Sequence, residues 1–395
     1  MKYVVLAASV VTQVCLGGLY AWSSFVPALQ RSHNLSTAQT QLIFGILIAV
    51  FTLVMVFAGR LLERRDARLV ASVGGLLFGA GYVIASFSNG SFAVLLLGIS
   101  VVAGAGTGFG YVCPLTTCIK WFPSHKGLVT GIAVAGFGGG AILLSTLAEV
   151  FLGGGTEVLM IFRWIGIVYG ATIMVGALAF KSPVSRQLNP TRSAPVLASL
   201  MHDRFFWALV VGMFSGTFAG LLVIGNLKPL ALSGGLPPVV AATAISTFAL
   251  GNVVGRMAWG WIADRIRFYV VSYALGILAI VLCGLVPTST LAAGLVTVSA
   301  LVGFGFGACF VIYATQVASR YGPDRVGNVY PVVFLSYGLA GISGPSAGGW
   351  LYDVTASYVP AIITSVAVVL IGLSASGWLL RSAKSSWTLD SRQSF

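Results

Sequence analysis

The sequence is poor in charged residues, and poorest in acidic ones. Of its 395 residues 8% are charged, with 9 Asp and Glu against 22 Lys and Arg, whereas soluble domains carry about 25% charged residues. The 3 histidines are scattered, and the 5 cysteines follow no metal-ligand or disulfide spacing. These shortages exclude a soluble globular domain and argue against an enzyme built on Ser/His/Asp, metal or paired-carboxylate chemistry. We therefore expect no metal and no cofactor.

Hydrophobic residues make up 57% of the chain and are gathered in twelve long runs. Each run is long enough to cross the hydrocarbon core of a bilayer, which needs about 20 apolar residues. The first run is too long for a signal peptide and is expected to be a retained span. The sequence therefore predicts an all-α, multi-pass protein of the cell membrane, which we place in a bacterial inner membrane. The runs lie near 3–28, 40–62, 68–88, 92–120, 126–152, 160–181, 204–232, 238–262, 268–287, 290–318, 327–350 and 357–380.

A polar stretch separates the first six runs from the last six. It contains prolines and arginines and marks a break in composition between two halves. We predict an N-terminal six-helix bundle at 1–181, a cytoplasmic linker at 182–203, a C-terminal six-helix bundle at 204–380 and a cytoplasmic tail at 381–395.

Basic residues fall mainly on one side of this arrangement. With a cytoplasmic N-terminus, 18 of the 22 Lys and Arg lie on the inner side, and only Arg31 and Arg163 lie on the outer side. An excess of basic residues in cytoplasmic loops is the positive-inside rule, so both termini are predicted to be cytoplasmic. The net charge of +13 is then a topological signal, and nucleic-acid binding is not expected.

Two short motifs recur at nearly the same offset. The segment 59–64 after the second run and the segment 260–265 after the eighth run both read Gly, three residues, an acid and Arg. A second pair, 123–127 and 323–327, begins with Pro, ends with Gly and carries a base near the glycine. Two motifs at one offset indicate an internal repeat, with parallel halves and a binding site between them near the middle of the membrane.

Glycine–acid–arginine loops after the second and eighth spans are a hallmark of the major facilitator superfamily, which the chain resembles over essentially its whole length. The resemblance implies twelve helices in two pseudo-symmetric six-helix bundles. It also implies that the two loops form a cytoplasmic gate by pinning neighbouring helix ends, where charges complement the helix dipoles. The residues that match this gate are Gly59, Glu63, Arg64, Arg68, Gly260, Asp264 and Arg265.

Two further stretches narrow the resemblance. One is Gly17-Gly18-Leu19-Tyr20-Ala21-Trp22-Ser23 in the first span. The other joins 110–114, the run Lys120-Trp121-Phe122-Pro123 and the glycine-spaced segment 127–133. Together they resemble the oxalate–formate antiporter family, the bacterial relatives of the monocarboxylate transporters.

Arg256 lies within the eighth apolar run. A guanidinium keeps its charge at biological pH, and placing it in hydrocarbon costs at least ~2.5 kcal/mol. Direct pairing with Asp264 on the same helix is not expected, because eight residues span about 12 Å. The segment is similar to the eighth span of monocarboxylate transporters, which implies that Arg256 binds the substrate carboxylate. We expect the side chain to face a water-filled cavity.

Two departures from the relatives bear on the substrate and on coupling. The proton-coupled animal relatives have an aspartate four residues before this arginine, on the same helix face, where this chain has Asn252, which cannot carry a proton. The oxalate exchanger has a second cation in its eleventh span, where 327–350 contains no Lys or Arg here. A single guanidinium suits one carboxylate, which favours lactate or pyruvate over oxalate.

Further candidates for the binding site are aromatic. Spans one, four, seven and ten usually line the cavity in this superfamily, and a tyrosine can hydrogen-bond a carboxylate while its ring packs on a small carbon skeleton. Helix packing is the alternative and the commoner role. Beside Asn252, the predicted substrate-binding residues are Tyr111, Tyr330, Phe334, Tyr20 and Tyr313.

Two charged residues near the outer ends of spans are candidates for coupling. Glu149 is nearly the only carboxylate that a proton could use inside a span, and Lys228 could draw anions inward. The alternative for both is an interfacial position with the charge in water.

These residues favour a secondary transporter that moves small monocarboxylates by alternating access, is coupled to protons and acts as a monomer in the lipid membrane. One alternative is an oxalate/formate-type anion exchanger without proton coupling. A second alternative, from a different class, is a transporter-like receptor that binds ligand and signals; the short linker and tail weigh against it.

Overall fold

The computed structural model describes residues 1–35, 37–62, 64–181, 197–266 and 269–390. Within these residues the chain is helical, without a β-strand, and twelve helices are long and apolar enough to cross a membrane. The predicted all-α, twelve-span architecture is confirmed.

The spanning helices follow the predicted apolar runs closely, because the length of an apolar run is what a membrane-crossing helix requires. In chain order they are Lys2–Ala21 (α1), Leu42–Leu61 (α2), Ala67–Ser86 (α3), Phe92–Trp121 (α4), Lys126–Gly153 (α5), Val158–Ala177 (α6), Arg204–Ser233 (α7), Pro238–Ile266 (α8), Val270–Thr288 (α9), Ala292–Tyr321 (α10), Pro323–Thr355 (α11) and Val359–Ser382 (α12).

Several spans depart from a continuous α-helix. The end of α1 tightens into a 3₁₀ turn at Gly18–Ala21, and a shorter helix, Trp22–His33, follows it. Helix α4 contains a π-helical stretch at Leu96–Ala103. Helix α10 is interrupted at 309–311. Hydropathy reports apolar length and is insensitive to these changes of hydrogen-bond register.

The chain divides into two compact units. Unit 1 comprises Met1–Ser185 together with Val317–Pro331, and unit 2 comprises Arg186–Gln316 together with Val332–Phe395. Most of the predicted linker, at 182–196, lies outside the described residues, as do the last five residues of the predicted tail. The predicted division at 182–203 stays a prediction.

The same helix pairs recur within each unit. In unit 1, α2 packs against α4, and α3 packs against α6. In unit 2 the corresponding pairs are α8 with α10 and α9 with α12, each six helices later. Within the two units, these equivalent pairings follow the internal repeat seen in the sequence.

Helices α8 and α10 approach each other closely enough for backbone to meet backbone. A Cβ built on Gly307 of α10 would lie 2.5 Å from the carbonyl oxygen of Asn252 and 2.9 Å from the backbone nitrogen of Arg256. Glycine is required at this position because any side chain would have to push α8 away. Small residues at helix contacts allow such approach in membrane proteins, and here the contact lies directly behind Asn252 and Arg256.

Gly307→Ala is expected to destabilise the protein by about 1–3 kcal/mol, the usual cost of overpacking a close contact. The matched control is Gly349→Ala in α11, where a built Cβ meets nothing within 4 Å. Thermal unfolding of both variants in one detergent measures the difference. An equal melting temperature for Gly307→Ala and the parent would show that the backbone contact does not limit helix packing.

Candidate functional site

Arg256 lies in the interior of unit 2. Its side chain belongs to α8, and the residue is 1% exposed. Its Nε donates a 2.7 Å hydrogen bond to Oδ1 of Asn252, one helical turn earlier. The spacing of four residues places both side chains on one face of the helix, so a neutral amide orients the guanidinium.

The ring of Phe310, from α10, covers the guanidinium. The Cζ atom of Arg256 lies 4.2 Å from the ring centroid, within the range of a cation–π interaction. Arg256 is therefore enclosed by protein, whereas the sequence analysis expected a water-filled cavity. The physical reason is that this aromatic ring occupies one side of the charge.

The interruption of α10 places Phe310 in this position. The backbone N–H groups of Cys309, Phe310 and Val311 bond to carbonyls three residues earlier, instead of the four residues of an α-helix. Such tighter turns change the direction in which successive side chains leave the helix. The sequence of α10 alone does not signal where the register changes.

Phe310 belongs to a cluster of four aromatic rings within unit 2. Its ring centroid lies 5.1 Å from Phe306 and 5.3 Å from Tyr337, and 6.4 Å from Phe334 of α11. The rings of Phe334 and Tyr337 are 5.0 Å apart. The predicted residue Phe334 thus packs against Phe310, the ring that covers Arg256. An apolar wall of this kind suits a short carbon skeleton beside a charged end.

Tyr313 and Trp259 add buried polar groups to unit 2. Tyr313 is fully buried, directly after the interruption of α10, and Trp259 follows Arg256 by three residues on α8. Neither the Tyr313 hydroxyl nor the Trp259 Nε1 has a hydrogen-bond partner among the described residues. A buried donor in that state costs roughly 1–3 kcal/mol. Tyr313 was predicted from the sequence, and Trp259 was not.

The predicted tyrosines of unit 1 form an aromatic cluster of their own. Tyr111 lies 5.2 Å from both Phe51 and Phe137, measured between ring centroids, and Tyr20 lies 5.4 Å from Phe137. Gln13, a buried residue of α1, donates from Nε2 to the backbone carbonyl of Tyr111 at 3.4 Å. These rings pack against one another within unit 1, and their role in substrate binding stays a prediction.

Tyr330 is fully buried in the Val317–Pro331 segment of unit 1. The two coupling candidates are exposed instead: Glu149 near the end of α5 and Lys228 near the end of α7. The exposure of Lys228 fits the interfacial alternative. All three assignments stay predictions.

Unit 1 contains a counterpart of the Arg256 region at the equivalent place in the repeat. A Cβ built on Gly108 of α4 would lie 2.8 Å from the carbonyl oxygen of Phe51 and 3.0 Å from the nitrogen of Met55. Gly307 meets Asn252 and Arg256 in the same way. Phe51 and Met55 thus occupy the positions that Asn252 and Arg256 occupy in unit 2, and only the second copy carries the charge.

The predicted gate residues of unit 1 lie at the ends of α2 and α3. A Cβ on Gly59 would overlap the carbonyl oxygen of Gly327, so glycine permits the two backbones to touch. Arg68 forms a 2.7 Å ion pair with Asp66, and that bond holds the pKa of Asp66 below its ordinary value. Asp66 also caps α3 by accepting from the backbone N–H of Arg68. Glu63 lies outside the described residues.

Arg64 is exposed beside this loop. In unit 2, the guanidinium carbon of Arg265 lies 3.4 Å from the ring centroid of Trp261, and its Nη1 donates to the Trp261 carbonyl. Gly260 is buried, and Asp264 is half-buried on the same turn of α8. The gate role of all these residues stays a prediction.

Sequence reasoning missed Phe310, Asp66 and the 3.1 Å ion pair between Lys120 and Asp324. The repeat contains a signal for Phe310, because Tyr111 occupies the equivalent place in α4 beside Phe51. For Asp66 the signal is an aspartate directly before a helix, a preferred N-cap.

The part of the chain that the structure describes holds no group of three or more His, Cys, Asp or Glu that could bind a metal ion.

Sequence comparison finds relatives along most of the chain. Residues 9–345 match the family described as "Major Facilitator Superfamily". The "Uncharacterized MFS-type transporter YhjX" of Escherichia coli (strain K12) is 29% identical over 353 residues, which cover 86% of each chain. The "Oxalate:formate antiporter" of Oxalobacter formigenes is 25% identical over 386 residues, covering 93% of this chain and 90% of the relative. The "Monocarboxylate transporter 11" of Mus musculus is 26% identical over 390 residues, covering 93% and 84%.

Comparison with solved structures agrees on the fold. The structure described as a "Major Facilitator Superfamily (MFS) transporter, FucP, in the outward conformation" superposes with a TM-score of 0.72. The match covers 94% of this chain and 98% of the other at 16% identity. At that identity the likeness concerns the architecture alone.

Proposed function

We propose that this chain, which belongs to the Major Facilitator Superfamily, transports small monocarboxylate anions of the lactate and pyruvate kind by binding their carboxylate to Arg256. The chain is a multi-pass membrane protein of a family of transporters and not an enzyme. Transport proceeds by alternating access.

One observation carries the proposal: a guanidinium that is 1% exposed inside a spanning helix and is oriented by Asn252. An ionisable residue inside a span is costly and is a functional-site hypothesis by default. A guanidinium has five N–H donors in a planar fork, and here the Nε–H donates to Asn252. The fork matches the two oxygens of a carboxylate, which is the reason arginine is favoured for recognising this group.

The surroundings of Arg256 favour a small substrate with one charged end. The ring of Phe310 lies beside the guanidinium, and the rings of Phe334 and Tyr337 pack against Phe310. An aromatic surface of this kind suits a short carbon chain. A second carboxylate would need a second cation, and the eleventh apolar run has no Lys or Arg. The similarity to a monocarboxylate transporter over 93% of the chain supports the same substrate class.

Proton coupling is part of the proposal because a monocarboxylate is almost fully ionised at pH 7, well above the usual carboxyl pKa of about 4. Net uptake therefore needs a compensating cation. Asn252 cannot carry a proton, so the proton travels with the substrate at the arginine or on another group, for which Glu149 is the candidate.

Anion exchange is the second candidate. It is favoured by the similarity to an oxalate:formate antiporter over 93% of this chain and 90% of that protein. Exchange of one anion for another balances charge without a proton and would need no titratable group near Arg256.

Arg256→Gln is expected to lower transport of lactate or pyruvate at least about 100-fold, because two charge-assisted hydrogen bonds of roughly 1.5 kcal/mol or more are lost. Uptake into proteoliposomes measures it, with Arg31→Gln as the control that removes an exposed arginine. A melting temperature for each variant separates lost binding from lost folding. Uptake by Arg256→Gln at the wild-type rate would show that Arg256 is not needed for transport.

Phe310→Ala is expected to widen the range of accepted substrates, because the ring fills the space beside the guanidinium. The KM for longer monocarboxylates should fall relative to the KM for pyruvate. Phe310→Tyr keeps the ring and is the matched control. An unchanged preference across a series of chain lengths in Phe310→Ala would contradict a substrate-facing role for the ring.

A gradient experiment distinguishes the two candidates. Proteoliposomes with no internal anion are given external lactate, pyruvate, formate, acetate or oxalate, with and without an inward proton gradient. We expect concentrative uptake of a monocarboxylate only with the gradient. Uptake that ignores the gradient and requires an internal anion would establish exchange instead.

A further inference from the structure

Unit 1 contains a cavity of about 430 Å³ at the junction of α2, α3 and α4. Its charged lining consists of Arg65, Asp66, Arg68, Lys120, Lys181 and Asp324. The volume lies within the range of roughly 300–1,000 Å³ that is typical of small-molecule sites. Gly59 and Arg68 of this lining are among the predicted gate residues, but the proposed binding of the substrate carboxylate at Arg256 uses none of these residues.

The cavity has an excess of positive charge. Its described lining holds four basic side chains and two carboxylates, so two positive charges remain after neutralisation. One carboxylate, Asp66, is 2.7 Å from Arg68, and the other, Asp324, is 3.1 Å from Lys120. A concave surface lined by one sign of charge concentrates counter-ions, here anions.

Lys181 is held at the rim by its backbone. The indole Nε1 of Trp121 donates a 2.7 Å hydrogen bond to the Lys181 carbonyl, which fixes the chain just after α6. Lys181 itself lines the cavity, and its charge adds to the effect of Arg68 in lowering the pKa of Asp66. A substitution at Lys181 can therefore remove the charge and leave the backbone contact intact.

Uncharged residues and an ion pair complete the lining. The backbones of Gly59 and Gly327 touch there, and Thr116 and Thr117 of α4 add two hydroxyl groups on buried residues. The Lys120–Asp324 ion pair ties α4 to the first turn of α11. These contacts join α2, α4 and α11 around the cavity.

We propose that this cavity binds a phosphate-bearing anion. The two excess positive charges, those of Arg65 and Lys181, match a phosphate dianion, and the planar fork of Arg65 suits its oxygens. The cavity is larger than one phosphate group and leaves room for a small attached group. The phosphate comes either from a soluble phosphorylated compound or from the headgroup of an anionic lipid, because the positive-inside pattern predicts this end of the helices at the cytoplasmic surface.

The test is ligand-dependent thermal stability of the full chain in neutral detergent, followed by tryptophan fluorescence. One arm titrates inorganic phosphate and glycerol 3-phosphate against sodium chloride at equal ionic strength. The other arm compares nanodiscs of phosphatidylglycerol with nanodiscs of phosphatidylcholine. We expect a saturable rise in melting temperature in one arm at least, because a ligand that binds the folded state stabilises it.

Lys181→Gln and Arg65→Gln should each weaken the apparent Kd about tenfold, the size expected for one charge-assisted hydrogen bond. Arg60→Gln is the matched control, because Arg60 is exposed in the last turn of α2 but does not line the cavity. A response confined to soluble phosphates identifies a soluble ligand, and one confined to phosphatidylglycerol identifies a lipid headgroup. No saturable response in either arm, or equal responses in all three variants, would overturn the proposal. Transport by Arg256→Gln reports on the other site, so the two proposals fail separately.

Discussion

A positive charge buried among spanning helices is the constraint on which unit 2 depends. Arg256 keeps its charge at any biological pH and is 1% exposed, so the protein has to replace the hydration that the guanidinium loses. Two of the groups that surround it carry no net charge: the Asn252 amide at 2.7 Å and the face of Phe310 at 4.2 Å. These two contacts orient the guanidinium to which the proposed carboxylate would bind.

The backbone contact between α8 and α10 makes that arrangement possible. Gly307 lies against the main chain of Asn252 and Arg256, which places the next turn of α10 at the height of the guanidinium. The interruption at 309–311 then brings Phe310 over the charge. The position of the ring follows from main-chain geometry more than from side-chain flexibility, and this preorganisation reduces the cost of ordering the site when a ligand binds.

Residues close together in the sequence were sufficient to predict the fold, but they predicted only part of the candidate site. Apolar run length predicts the spans, and the motifs at 59–64 and 260–265 reveal the repeat, because both depend on residues close together in the chain. Asn252 and Arg256 share a helix face for the same reason. Phe310 could not be placed in this way: its contact depends on a register change in α10 and on a second helix. The enclosure of Arg256 was missed for that reason, and so was the ion pair between Lys120 and Asp324, which are about half a chain apart.

The two copies of the repeat share their packing but differ in chemistry. Phe51 and Met55 meet Gly108 as Asn252 and Arg256 meet Gly307, so the backbone junction is the same with an apolar pair or with a polar one. Because the contact is made by the main chain, the side chains at these two positions can change without disturbing the packing of the two helices. Duplication of such a unit would leave one copy free to acquire a charge while the other preserved the scaffold, and specificity could then evolve in half of the molecule without endangering its assembly.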